Sequence, residues 1–213
     1  MVRALLKPIL PLMLLFTVVI GLVYALPGED DSLLDTLIAP PDGCPAPCWQ
    51  GIQPGVTRVN EAIELLEANP GIDHVIMTES FGATHNGFIS WVWNGQQPAP
   101  IDGRLRGAMW VNDDIVQSVR IPTTIPFGAL WLRFHRPAQG SFRLVLDAQA
   151  MDHVIFHVAV YPDYKFVAWN EVSCPLSLAG FWGAPMYIQF TNTLSTKLTD
   201  YRLPGWAFES PCG

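Results

Sequence analysis

The chain has 213 residues, with 19 acidic and 12 basic side chains and a formal net charge of −7 at pH 7. A surface of that sign repels phosphate backbones, so nucleic acid is excluded as an expected partner, as is attachment to an anionic membrane by charge alone. Residues 1–25, the apolar segment described next, contain two basic and no acidic side chains. The rest of the chain therefore has 10 basic against 19 acidic side chains, which strengthens both exclusions.

Residues 1–25 have the pattern of an export signal or a membrane anchor. Arg3 and Lys7 precede the uncharged apolar run 9–25, which as a helix would reach roughly 26 Å, close to the hydrocarbon thickness of a bilayer. Basic residues stay on the cytoplasmic side, so the rest of the chain is expected outside, secreted or held on the outer face of the cytoplasmic membrane. The small side chains ending at Ala25 suit a signal peptidase; cleavage there and a retained membrane span are the alternatives.

The next segment, 26–43, combines proline, glycine and acidic residues and predicts a tether. All four cysteines follow the apolar run, which fits an oxidising compartment and predicts two disulfides with the pairing left open. A zinc site of four thiolates is the alternative, although no Cys-x-x-Cys pair occurs. The disulfide candidates are Cys44, Cys48, Cys174 and Cys212.

A helix followed by strands is predicted after the first two cysteines. Thr57 is a candidate N-cap, apolar residues then recur at helical spacing, and Pro70 ends the helix. Alternating apolar residues, interrupted by turn residues, predict the strands. The predicted strands are 74–80, 88–93, 105–111 and 115–121, the last two joined in a hairpin around 112–114.

The same pattern returns 67 positions later, where Thr124 and Pro137 take the places of Thr57 and Pro70. The second set of predicted strands is 142–146, 154–161, 166–169 and 186–190. We therefore predict an α+β fold of two tandem repeats, each a helix packed on antiparallel strands, after an N-terminal apolar helix. The repeats would occupy 44–121 and 122–213; the alternative is an undivided α+β fold.

The segment from Cys44 to Thr57, Cys-Pro-Ala-Pro-Cys-Trp-Gln-Gly-Ile-Gln-Pro-Gly-Val-Thr, runs into Glu61-Ala62 and Leu65-Leu66. It resembles the opening of a group of uncharacterised exported bacterial proteins.

More distantly, Gly55-x-Thr57, Leu66 near a helix end and Pro70 before strands are similar to the small lipoproteins of the outer-membrane assembly machine (SmpA/OmlA type) and to β-lactamase-inhibitor-like domains. The resemblance covers 51–121, with an echo at 122–190. It implies a short helical element on a three-stranded antiparallel sheet and a module that binds other proteins. The chain departs from the lipoproteins in lacking a lipid-bearing cysteine and in having extra residues between Leu66 and Pro70.

The sequence contains no serine-hydrolase elbow, phosphate loop, dinucleotide fingerprint or zinc-protease helix, so no cofactor is expected. His153 and His157 are the candidate catalytic or ligand-binding histidines, but the alternation around them predicts a strand. Four residues of strand span roughly 13 Å, too far for one metal to bridge the pair, and no metal site is predicted. Calcium at the Asp113-Asp114 turn is the alternative.

Strand tryptophans are the remaining candidates for a ligand site, chiefly Trp91 and Trp93, together with Trp110 and Trp169. They either pack in the core or form an aromatic face for sugars or peptides. We predict a non-enzymatic exported or membrane-anchored domain that binds another envelope protein. The alternative function is an extracytoplasmic hydrolase or carbohydrate-binding module.

Overall fold

The computed structural model describes residues 13–18, 31–77, 86–147, 152–193, 198–203 and 205. The predicted export signal or membrane anchor, 1–25, lies outside the described residues except for 13–18, which are helical with exposed side chains. Within the described part of the chain, no helix combines the length and the apolar character that a membrane crossing requires.

Nine described strands form one sheet in which every pairing is antiparallel. The strands are β1 Ile72–Met77, β2 Gly87–Trp93, β3 Gly107–Asn112, β4 Ile115–Pro126, β5 Gln139–Asp147, β6 Asp152–Tyr161, β7 Phe166–Ser173, β8 Pro185–Thr191 and β9 Thr199–Asp200. Their order across the sheet is β1-β2-β3-β4-β8-β7-β6-β5-β9. The helices are short: α1 Asp31–Ile38, α2 Val59–Glu67, α3 Phe127–Phe134 and α4 Leu178–Gly183.

The prediction of two tandem helix-on-strand repeats in an α+β fold is wrong. The molecule is dominated by one continuous antiparallel sheet, because β4 pairs with β8 along Ser118 to Pro122 and joins the two halves edge to edge. The boundary expected between residues 121 and 122 falls inside β4. Thr124, the expected cap of the second helix, also belongs to β4, and α3 begins only at Phe127. The sequence pattern of a helix followed by strands occurs twice, but the two occurrences do not form separate structural units.

The predicted tether is partly helical, which corrects the expectation for 26–43. In α1, Leu34 and Leu37 are buried in the common hydrophobic core. Asp35 on the same helix forms a two-point ion pair with Arg133 of α3, with Nε–Oδ1 and Nη2–Oδ2 distances of 3.0 and 2.8 Å. Leucines recurring at helical spacing let α1 bury one side, so the acidic composition of the segment was a poor guide.

Alternation along the strands gives the sheet a covered face and an open face. On β2, Ile89 and Trp91 are fully buried, whereas Phe88 is exposed. The rings of Phe127 in α3 and Phe181 in α4 lie 4.6 and 5.3 Å from that of His157 on β6. The helices therefore pack on the face that carries Ile89, Trp91 and His157, which we call the covered face. We call the opposite side the open face.

The segment 44–57 seals the covered face beside β2. Cys44 and Cys48 form a disulfide with Cα atoms 6.0 Å apart, and Trp49 then stacks on Trp91 with ring centroids 5.6 Å apart. Gln50 and Gly51 have φ angles of 51° and 86°, which allow the chain to reverse between Trp49 and Ile52. The motif behind the family resemblance thus performs a packing task in this chain.

Cys174 is also disulfide-bonded, and Cys212 lies outside the described residues. Thr57 does not cap α2; its hydroxyl oxygen accepts a hydrogen bond from the backbone N–H of Gln53 at 2.8 Å.

The predicted hairpin around 112–114 is present, with Asp113 and Asp114 both at positive φ. Short polar side chains tolerate this conformation, which accounts for the aspartates without a calcium ion. Among the described residues, no group of three or more histidine, cysteine or carboxylate side chains is placed to hold a metal ion.

Candidate binding face on the open side of the sheet

Trp91 and Trp93, the tryptophans singled out from the sequence, lie on the covered face. Trp91 is fully buried between Trp49 and the backbone of Gly107, and Trp93 meets it edge-on with centroids 5.9 Å apart. Both rings are packing elements of the core, so a ligand at the surface would not reach them.

His153 and His157 lie on β6 with their side chains on the same face, separated by Ile155. The ring of His157 is fully buried and stacks on Phe142, with centroids 4.5 Å apart and an angle of 3° between the planes. Phe127 closes the ring in from another side, edge-on. A catalytic histidine must reach its substrate, and this one is enclosed by aromatic side chains.

One polar contact holds the buried ring of His157. Its Nε2 lies 2.9 Å from the hydroxyl oxygen of Tyr201, just beyond β9. Its Nδ1 and the side-chain amide of Asn170, directly across on β7, have no hydrogen-bond partner among the described residues. Burial lowers the pKa of His157 to about 3, and the nearby Asn170 amide offsets this only in part. The histidine is therefore neutral at physiological pH and anchors the end of the sheet.

Replacing Tyr201 with phenylalanine is expected to lower the free energy of unfolding by about 1–3 kcal/mol, since the buried Nε2 would lose its partner. Chemical denaturation of both proteins measures the difference. Tyr164→Phe is the matched control, because Tyr164 is exposed. Equal stabilities for Tyr201→Phe and the parent would show that this hydrogen bond contributes nothing.

The open face carries a row of large rings around one cation. We call it the aromatic–arginine face, and it consists of Phe88 on β2, Trp110 on β3, Arg120 on β4, Tyr187 on β8, Trp169 on β7 and Phe156 on β6. Register places these side chains together: Phe88 is opposite Trp110, and Trp169 is opposite Tyr187. Six strands thus contribute to one continuous surface.

At one end of this face, Phe88 and Trp110 contact each other with ring centroids 4.7 Å apart and planes inclined at 57°. They remain 53% and 37% exposed. Large exposed rings cost free energy in water, and they are enriched where proteins bind partners.

The centre of the face is an arginine beside a stacked pair of rings. Trp169 and Tyr187 stack with centroids 4.3 Å apart and planes at 11°. The guanidinium carbon of Arg120 lies 5.4 Å from the Trp169 centroid and 5.6 Å from that of Tyr187, within range of a cation–π interaction. Its Nε–H is buried and has no hydrogen-bond acceptor among the described residues.

A depression of about 260 Å³ lies between the Phe88–Trp110 end of the face and Arg120. Its lining residues are Phe88, Ala108, Trp110, Ser118, Arg120 and Gln189. It thus combines an apolar wall, a hydroxyl, an amide and a guanidinium, which suits one polar or charged group attached to an apolar neighbour.

Comparisons with known proteins add no identification: no family model, no curated protein and no solved structure matches this chain. The resemblance to exported bacterial proteins, to the lipoproteins of the outer-membrane assembly machine and to β-lactamase-inhibitor-like domains therefore stays a prediction.

Sequence reasoning found part of this face. Trp110 and Trp169 were grouped with Trp91 and Trp93, and the structure separates the two pairs onto opposite sides of the sheet. Arg120 and Tyr187 were missed. The available signal was a single arginine, the one charged residue of the predicted strand 115–121, where a charge must point away from the core.

Proposed function

We propose that this protein is a non-enzymatic domain, exported or anchored at the cell envelope, that binds another protein through the aromatic–arginine face. The observation that carries the proposal is the row of exposed and half-buried rings around Arg120 on the side of the sheet opposite the helices. Tryptophan, tyrosine and arginine dominate the binding energy of protein interfaces. The envelope location rests on the pattern of residues 1–25 and on the disulfide-bonded cysteines.

The ring geometry favours a protein partner over a sugar. A sugar stacks on a flat ring face that is free to receive it, whereas Trp169 and Tyr187 cover one face of each other. Phe88 and Trp110 are inclined to each other and offer no common plane. Tilted rings of this kind interdigitate with the side chains of a partner.

A hydrolase is disfavoured by the burial of His157. The alternative function depended on His153 and His157 as catalytic groups, and His157 is enclosed by Phe127, Phe142 and Tyr201. Its lowered pKa arises mainly from burial and not from a catalytic carboxylate.

The test is capture of an envelope protein by the immobilised chain, followed by substitution of the face. Changing Phe88 and Trp110 together to alanine is expected to weaken binding of the captured protein at least tenfold, because both rings are exposed and available to a partner. Affinity is measured by surface plasmon resonance.

Leu132→Ala is the matched control, since Leu132 is an 81% exposed apolar residue on α3, on the covered side of the sheet. It should leave the affinity unchanged. Equal affinity for the parent and the Phe88/Trp110 variant, or capture of soluble oligosaccharides in place of proteins, would overturn the proposal.

A further inference from the structure

The depression beside Arg120 contains an unpaired cationic donor. Among the described residues, Arg120 makes no ion pair, and the contacts of its guanidinium are the rings of Trp169 and Tyr187. Arg120 lines the cavity, and its buried Nε–H lacks a hydrogen-bond acceptor in the described part of the chain. Each buried donor left without an acceptor costs free energy.

The nearby carboxylates leave this arginine available. Asp102 is held by Arg104 through Nε–Oδ1 and Nη2–Oδ2 hydrogen bonds of 2.9 and 2.7 Å, which keep the pKa of Asp102 below its ordinary value. Glu171, on β7, lies opposite Phe156 in the sheet and forms no ion pair with Arg120 in the described part of the chain.

We infer that the depression binds the carboxylate of an aspartate or glutamate side chain from an acidic peptide segment of the partner protein. The inference rests on the proposed function and names the chemistry of its central contact. A guanidinium presents a planar pair of N–H donors that matches the two oxygens of a carboxylate. Ser118 and Gln189, which also line the cavity, carry a hydroxyl and an amide that can donate to the same group.

The apolar walls support an acidic side chain rather than a free anion. Phe88, Trp110 and Ala108 keep water from one side of the cavity, so the attraction between opposite charges there is stronger than in bulk water. The same walls give the methylene groups and the flanking residues of a peptide an apolar contact. The chain is negative overall, so the protein as a whole does not attract an acidic segment from a distance. The attraction to Arg120 acts only at short range, because salt screens charges beyond about 8 Å at physiological ionic strength.

The test compares two peptides that differ by one charge, acetyl-Thr-Val-Glu-Val-Thr-amide and its Gln analogue. Both are titrated into the full chain while the Trp110 indole and Arg120 Nε–H resonances are followed by NMR. The Glu peptide is expected to shift both resonances saturably and to bind at least tenfold more tightly. In Arg120→Gln, followed through the Trp110 resonance, the preference should disappear. Equal affinities in the parent, a preference that survives in Arg120→Gln, or no saturable shift would each overturn the inference.

The two proposals fail in different ways. If capture of the envelope protein is lost on changing Phe88 and Trp110 but is unaffected by Arg120→Gln, the face binds proteins and the carboxylate inference is wrong. If the Glu peptide prefers the parent but the Phe88/Trp110 variant captures the protein normally, the carboxylate site exists and the proposed role of the face is wrong. Thermal unfolding of each variant excludes loss of folding as the cause.

Discussion

Replacing Trp91 with alanine is expected to lower the free energy of unfolding by about 3–5 kcal/mol, enough to unfold a large fraction of a marginally stable domain. The ring is fully buried, stacked on Trp49 and met edge-on by Trp93. A Cβ on Gly107 would lie 2.2 Å from the ring, which shows how closely the neighbouring strand fits against it. The surrounding atoms cannot collapse into the space left by an indole, so the loss of burial is followed by a cavity.

Chemical denaturation of the variant measures this effect, and Trp110→Ala is the control because it removes the same side chain from the adjacent strand. Trp110 is partly exposed on the open face, so its removal should cost far less stability. Similar losses for both variants would mean that Trp91 has no special role in the core.

Lowering the pH from 7 to 4 is expected to reduce the free energy of unfolding by about 3 kcal/mol through His157 alone. The folded-state pKa of His157, about 3, lies below the value of 6.5 for an exposed histidine. Protons therefore bind the unfolded chain more readily, the contribution is complete above pH 6.5, and it is lost as the pH falls toward 3. Charging the ring would place an ion among Phe127, Phe142 and Phe181.

The measurement is urea unfolding of the parent and of His157→Gln at intervals between pH 7 and pH 4. The glutamine variant should be less stable at pH 7, yet its free energy of unfolding should fall less steeply as the pH is lowered. The two slopes should differ by an amount that corresponds to at most one bound proton per molecule. Carboxylates titrate in both proteins, so the difference between the two slopes isolates the histidine. Identical slopes would show that His157 is not held neutral by the fold.

Most strands could be predicted from the sequence because alternation is local. The segment around Trp91 alternates between core and surface residues, and β2 spans the predicted residues with one more at its start. The Asp113-Asp114 turn likewise fixed the β3–β4 hairpin. In each case the signal lies within a few residues of the structure that it determines.

The pairing of β4 with β8 could not be predicted in this way, because Val119 and Phe190 meet across a long separation in the chain and neither residue marks the other. For the same reason, alternation within β2 separates Phe88 from Trp91, but it shows neither which face the helices cover nor on which face Trp110 lies. The candidate site therefore changed from Trp91 and Trp93 to Trp110 and its neighbours. Burial is a property of the assembled layers.

The meeting of β4 and β8 at the centre of the sheet makes the two halves of the molecule depend on each other during biosynthesis. The hydrogen-bonding edge of β4 that pairs with β8 has no partner strand until the chain has been synthesised as far as Thr191. Bare strand edges recruit other chains, so a polypeptide truncated before β8 should be prone to form aggregates. Any chaperone that binds the growing chain would have to shield that edge until the last long strand is available.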